Sequence, residues 1–335
     1  VVKLLVKSHF FEKKPVIFAS PLCGYTRLPF RDILASFTYN LIFTEMVSVD
    51  ALFYKNKASE TIYAQYPHLR DRTGIQLVGS KIDHFLFAIE KLLTLNDFQT
   101  FDINCGCPVS KVMKTGGGSA LLINPDLIYR ILSSIKTHFP HISLSAKIRV
   151  GINEKEKNYL EVSKAIEDAG TCFLTVHGRT QKQVYSGDID YEAIKQIKNT
   201  LKIPIIGNGN IFTPQDAKKM LELTGVDGIM LSRGIIGNPW LANQIRDYLE
   251  HGEYQEISAY HKIDTMAKHF YNETQFEPHK GFRDFKKACL VYLKGVNNIK
   301  KIKIALATCQ TQEEMALIIE NLKQSISTQI KEPSL

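Results

Sequence analysis

No apolar run in this chain approaches the roughly 20 residues that a membrane-spanning helix takes. There is no internal repeat, no low-complexity tract and no paired cysteine framework. The six cysteines are scattered singly, apart from Cys105 and Cys107, whose spacing does not match the C-x-x-C pair of common zinc sites. The opening Val1-Val2-Lys3-Leu4-Leu5-Val6 is broken at once by Lys7, Ser8 and His9, too early for a secretory signal. These absences argue against a membrane protein, a disulfide scaffold and a structural zinc site. A soluble protein of a reducing, cytoplasmic compartment is expected, with no obligate protein partner evident.

At 335 residues the chain can hold one large barrel and a small second domain with ample core. The formal charge of +8 and pI near 9.0 point weakly toward polyanions. Distribution says more than the total. Between His279 and Lys303 lie Lys280, Arg283, Lys286, Lys287, Lys294, Lys300, Lys301 and Lys303 against the single acid Asp284. Such a run is either a solvated helix face or a surface for nucleic acid.

Strand-like apolar runs occur at Val16–Ser20, Leu41–Met46, Gly74–Val78, Phe101–Asn104, Ser143–Ile148, Cys172–His177, Ile203–Gly207 and Asp227–Ser232. Segments of helical period lie between them, among them Ile82–Leu93, Asp126–Thr137, Tyr159–Ala169 and Pro214–Leu223, with start signals such as Asn124-Pro125 and Thr213-Pro214. This alternation indicates a (β/α)8 TIM barrel. A doubly wound open sheet is the alternative, but the first strand lacks a G-x-G-x-x-G turn and the count closes at eight. After Trp240 the pattern changes to helices alone, Ile257–Thr274, Phe282–Val296, a short piece near Lys301–Ala307, and Thr311–Ser327. The expected division is a catalytic barrel over 1–250 and a small all-helical C-terminal domain over 251–335, with the junction near Gly252.

Function in such a barrel sits at the C-terminal ends of the strands. Those ends carry Pro21, Glu45 and Met46, Gln76, Asn104 and Cys107, Lys147 and Arg149, His177 and Arg179, Asn208 with Gly209 and Asn210, and Ser232 with Arg233 and Gly234. The seventh and eighth loops combine backbone N–H groups, a guanidinium and helix N-termini, a combination suited to a phosphate. Lys147 in a barrel mouth must be paired or must serve a bound anion, for which an electron-rich cofactor is suitable. His177 is either a satisfied buried histidine or a ligand contact, and Gln76 offers donor and acceptor to a planar heterocycle. The fourth strand leads into Asn104-Cys105-Gly106-Cys107-Pro108, followed by Gly116-Gly117-Gly118. This places thiols on a turn beneath a segment expected to be movable.

Together these residues resemble the tRNA-dihydrouridine synthase family over nearly the whole chain. The motifs that carry the resemblance occur in order. They are Ser20-Pro21-Leu22-Cys23-Gly24-Tyr25-Thr26 with Leu28-Pro29-Phe30-Arg31, then Asp102-Ile103-Asn104-Cys105-Gly106-Cys107-Pro108 with Lys111-Val112, then Ala146-Lys147-Ile148-Arg149, His177-Gly178-Arg179-Thr180, Gly207-Asn208-Gly209-Asn210-Ile211 and Leu231-Ser232-Arg233-Gly234. In the helical part, Phe282-Arg283-Asp284-Phe285-Lys286-Lys287 is similar to the family's tRNA-binding region.

The resemblance implies an FMN enzyme, recharged by NADPH, that reduces a uridine of tRNA to dihydrouridine. Cys107 would be the acid that protonates C5. Pro21, Gln76, Lys147, His177, Asn208, Gly209, Asn210, Ser232, Arg233 and Gly234 would hold the cofactor. Asn104 and Arg179 would meet the substrate base, and Arg283, Lys286 and Lys287 the tRNA. Two departures from the family pattern are Leu22-Cys23, where Met-Ala is usual, and Cys105, where a bulky apolar residue is usual. Another FMN barrel acting on a free pyrimidine, dihydroorotate dehydrogenase-like, is the alternative enzyme, and a tRNA-binding protein without catalysis the alternative class.

Overall fold

A computed structural model describes residues 11–12, 14–56 and 60–331. The N-terminal stretch considered as a possible signal lies outside the described residues. Eight parallel strands close into a barrel in sequential order: β1 (Val16–Ala19), β2 (Leu41–Ser48), β3 (Thr73–Val78), β4 (Thr100–Cys105), β5 (Leu144–Arg149), β6 (Phe173–His177), β7 (Ile205–Asn208) and β8 (Gly228–Leu231). The helices of the barrel part are α1 (Leu28–Leu34), α2 (Val49–Phe53), α3 (Glu60–Tyr63), α4 (Ile82–Leu95), α5 (Ser110–Met113), α6 (Pro125–His138), α7 (Tyr159–Asp168), α8 (Tyr191–Thr200), α9 (Pro214–Thr224) and α10 (Leu241–His251). Beyond Gly252, which takes a left-handed φ of 79°, come α11 (Ala259–Phe276), α12 (Pro278–Tyr292), α13 (Lys300–Thr308) and α14 (Gln312–Lys331). The barrel expected from the sequence is the barrel observed.

Element ends differ from the sequence reading for local reasons. β2 runs on to Ser48 because its register against β3 shifts between Phe43 and Met46, a bulge that lets the strand continue. β7 starts at Ile205, since Pro204 has no N–H to give a ladder. α12 starts at Pro278 rather than Phe282, with the proline in its first turn, and stops at Tyr292 before the left-handed Gly295.

Period-two alternation sorts the strand residues between two layers. Outward-facing side chains such as Ile75, Ile103, Cys105, Ala146 and Val176 pack in one core with the helices. Inward, the barrel floor is apolar, with Val16, Phe18, Leu41, Phe43, Phe173, Ile206 and Met230 in one cluster and Phe11 packed against Phe18 and Phe173 at centroid distances of 6.2 and 5.8 Å. One layer higher the interior becomes polar. This sealed floor means that a ligand can enter only from the C-terminal ends.

The helical part has its own core, built on Ile263, Met266, Phe285, Cys289, Tyr292, Leu293 and Met315, with Trp240 reaching in from the barrel side. It is fastened to α1 and the loop before it. Arg27, 4 % exposed, donates to Glu273 at 2.6 Å, pairs with Glu277, and lies 3.4 Å from Asp284. Phe30 stacks on His269 at 4.9 Å, and His269 Nδ1 lies 3.0 Å from the Tyr292 hydroxyl. Three carboxylates around one buried guanidinium fix the angle at which the helices meet the barrel.

Candidate active site

The polar layer above the floor is a connected chain of hydrogen bonds. Ser145 Oγ and Gln76 Nε2 each donate to the Asp102 carboxylate at 2.7 Å, and Asn104 Nδ2 donates to Gln76 Oε1 at 2.7 Å. Asn104 Oδ1 in turn accepts from the backbone N–H groups of Gly106 and Cys107 at 3.0 and 2.8 Å. Burial raises the Asp102 carboxyl to about 6, opposed by its bonds from Gln76 and Ser145. The side-chain amides of Gln76 and Asn104 therefore hold the turn that carries Cys107. Asp102 and Ser145, absent from the sequence-derived site, are legible as polar residues at inward positions of apolar strands.

The two thiols have separate fates. Cys105 has no exposed surface and faces the layer between barrel and helices. Cys107 lines the cavity at the barrel mouth, and burial raises its pKa, outweighing the Val109 backbone bond and the charges of Arg149 and Lys147 that lower it. It therefore stays protonated near neutrality. Its loop is strapped by Arg149, which donates through Nε to the Gly106 carbonyl at 2.8 Å and through Nη1 to the Thr180 carbonyl at 2.9 Å. The glycines after it are closely packed. A Cβ on Gly118 would stand 2.8 Å from the Cys107 carbonyl oxygen, and one on Gly117 would meet the Gly79 backbone at 3.1 Å.

Around Cys107 the mouth is cationic. The cavity, of about 540 Å³, is lined by Pro21, Met46, Gln76, Asn104, Cys107, Lys147, Arg149, His177, Arg179, Asn208, Gly209, Asn210, Ser232, Arg233 and Gly234. Of the barrel residues singled out in the sequence only Glu45 is not among them, its carboxylate accepting from Gly24 N at 2.5 Å. Tyr185 and Phe212 join them from loops that sequence reasoning passed over. Lys147 donates to Asn208 Oδ1 at 3.0 Å, and Asn208 Nδ2 to the Met230 carbonyl at 2.7 Å and Ser232 Oγ at 3.0 Å. Burial, helped by Arg149, pushes the Lys147 ammonium down to about 7. The same burial, with Lys147, Arg149, Arg179 and Arg233 around it, drives His177 well below the ordinary histidine value, so it is neutral. None of these four cations forms an ion pair among the described residues.

Arg179 belongs to this cationic end. Its Nε and Nη2 donate to the carbonyls of Ser186 and Gly187 at 2.9 and 2.5 Å, while its buried Nη1 has no partner. Arg233 lies between the faces of Tyr185 and Phe212, at 4.6 and 5.5 Å from the ring centroids. The helix N-termini expected here are not free. Thr213 and Asp216 close α9 with a capping box, Asp216 also accepting from Phe212 N at 3.0 Å, and β8 leads into a short 3₁₀ turn at Arg233–Ile235. The groups left to meet an anion at this end are the guanidinium groups and the loop backbones at Gly209 and Gly234.

The basic residues of the helical part diverge. Arg283 is exposed on α12, whereas Lys287 pairs with Asp284 at 2.7 Å and Lys286 donates to the Cys309 carbonyl at 2.6 Å. Lys286 is thus drawn into the packing of α12 on α13.

The family model described as dihydrouridine synthase matches residues 17–331. The chain belongs to the dihydrouridine synthase family. It is an oxidoreductase of that family. The probable tRNA-dihydrouridine synthase of Helicobacter pylori strain J99 is 35% identical over 286 residues, covering 85% of each chain. The tRNA-dihydrouridine synthase B of Pasteurella multocida is 32% identical over 312 residues, covering 92% of this chain and 93% of its own. That of Yersinia pestis is 31% identical over 287 residues, covering 84% and 88%. Among the described residues, no helix is long and apolar enough to cross a membrane.

Proposed function

We propose that this dihydrouridine synthase reduces a uridine of tRNA to 5,6-dihydrouridine with bound FMN, recharged by NADPH. The observation that carries the reading is a protonated thiol in a cavity that also holds four basic side chains, Lys147, Arg149, Arg179 and Arg233, without carboxylate partners among the described residues. When bound, FMN supplies the hydride that goes to C6 of the uracil.

The donor set suits that group. Arg179, with its unpartnered Nη1, and neighbouring Arg233 would hold the phosphate, together with Gly209, Asn210, Ser232 and Gly234. Lys147, held only by neutral Asn208, would meet negative charge on the ring system, with His177, Gln76 and Pro21 around it. This reading moves Arg179 from the uracil to the phosphate.

Cys107 gives its proton to C5, and the resulting thiolate is stabilised by Arg149 and Lys147, whose charges already act on it. Asn104 positions that thiol through the loop backbone. Its Nδ2 hydrogen directed at Met46 Sδ, a weak contact of 3.8 Å, is the one an acceptor on the base would take. The barrel, 1–250, is assigned the chemistry. The helical part, 251–335, is assigned the grip on tRNA, since the target uridine must leave its stack to reach a cavity this deep.

The test is to incubate the purified protein with NADPH and unmodified tRNA and to measure dihydrouridine. Formation at a defined nucleotide, with FMN released on denaturation, is expected. Turnover of free dihydroorotate or uracil with tRNA ignored would replace this reading by a free-pyrimidine reductase. A colourless protein that takes up no FMN would leave a tRNA binder without catalysis.

A further inference from the structure

A second group of aromatic side chains lies beside the cavity rather than in it. β2 delivers the chain to the barrel mouth, and the short α2 that follows keeps Phe53 and Tyr54 there. Phe53 stacks on His84, in the first turn of α4, with centroids 3.9 Å apart, and meets Phe87 edge-on at 5.3 Å; Tyr54 meets His84 edge-on at 5.6 Å. Asp50 fixes the His84 ring at 2.5 Å. In spite of these contacts Phe53 remains 36% and Tyr54 69% exposed. Tyr54 is the more exposed ring, and Phe53 keeps one face on His84.

The surroundings of these rings say what covers them. The loop before α4 touches the Cys107 loop, Ser80 Oγ donating to the Thr115 carbonyl at 2.7 Å. On the two loops and beside the rings stand Lys55, Lys81, Lys111 and Lys114, all exposed and in no ion pair among the described residues, with Asp83 the exposed acid among them. Exposed aromatic rings among unpaired lysines, beside a loop bonded to the one that carries Cys107 into the cavity, are what unstacked nucleotides bind. When one base leaves its stack, its neighbours lose a stacking partner, and a ring beside the mouth can replace it.

We propose that Tyr54, backed by Phe53 and His84, is a stacking platform for an unpaired nucleotide flanking the uridine that enters the cavity, with Lys55, Lys81, Lys111 and Lys114 on its phosphates. This rests on tRNA being the substrate.

The test compares Tyr54→Ala and Tyr54→Trp in the full-length holoenzyme, using unmodified tRNA and transcripts made abasic at single nucleotides flanking the mapped target. Tyr54→Ala is expected to raise KM for tRNA about tenfold, with Tyr54→Trp close to wild type, the scale of losing one base–aromatic stack. One flanking abasic site should cost wild type a similar factor and cost Tyr54→Ala nothing further. An unchanged KM in Tyr54→Ala, or losses that add fully at every flanking position, would overturn the platform while an active wild type leaves the reaction standing. A wild type forming no dihydrouridine on tRNA would remove the reaction and the platform with it.

Discussion

Under the proposed function, Lys147 makes FMN binding a proton-linked event with a defined sign. Its ammonium sits near Arg149, and burial, with that charge, lowers it from 10.5 to about 7. In the folded protein without a bound anion, Lys147 loses its proton as pH rises through about 7, whereas the unfolded chain keeps it to 10.5. Because the unfolded state binds more protons in that window, stability without cofactor rises with pH, by up to about 1.4 kcal/mol per unit from this group. An anionic ring beside Lys147 favours the charged form and so binds together with a proton. FMN affinity is then fully present below pH 7 and weakens above it, by up to about tenfold per unit while the bound-state pKa lies higher. The phosphate monoester, with a second pKa near 6, contributes little between pH 7 and 9. Fluorescence titration of flavin-free protein with FMN at pH 6, 7, 8 and 9 measures this directly. Lys147→Met should weaken binding at pH 6 and flatten the profile above 7. A wild-type affinity constant from pH 7 to 9, or a slope that survives in Lys147→Met, would refute the reasoning.

The thiols separate in the same way. Cys107→Ser should retain FMN and lose dihydrouridine formation by about 10²-fold or more. Cys105→Ser should retain turnover and lower stability by about 1–3 kcal/mol, because its hydroxyl enters an apolar layer without a partner; equal losses of turnover in the two variants would contradict the assignment. Arg27→Ala leaves Glu273, Glu277 and Asp284 facing one another and should destabilise the protein by about 3–5 kcal/mol, read as a fall in denaturation midpoint. Arg283→Ala should make the salt dependence of tRNA binding shallower, by a log–log slope of about 1, with no change in thermal midpoint. Lys286→Ala should lower the midpoint instead, because its ammonium is held by Cys309; a shallower salt slope for it with an unchanged midpoint would return it to the tRNA footprint.

Much of this molecule is determined by the sequence alone. The eight apolar runs alternating with helical periods specify the barrel, because each period buries one face and the count closes the sheet. The polar residues ending those runs had to meet at one mouth, because parallel strands share a C-terminal end. The choice of Cys107 over Cys105 comes from the motif that the chain shares with its family, and the structure puts Cys105 on the helix side of β4. What the linear order could not decide is which polar groups use one another up. Asn104 and Gln76 lie on neighbouring strands, and only closure of the barrel puts their amides 2.7 Å apart. Arg27 meets Glu273 across 246 positions, Lys286 finds the Cys309 carbonyl on the next helix, and Arg179 faces Arg233 across two strand ends. Tyr54 and His84 become one aromatic surface only when α2 packs on α4. Periodicity records which face of an element is buried, but the partner a buried donor or charge finds depends on contacts between elements distant in the chain. The tertiary structure therefore decided the assignment of each polar group.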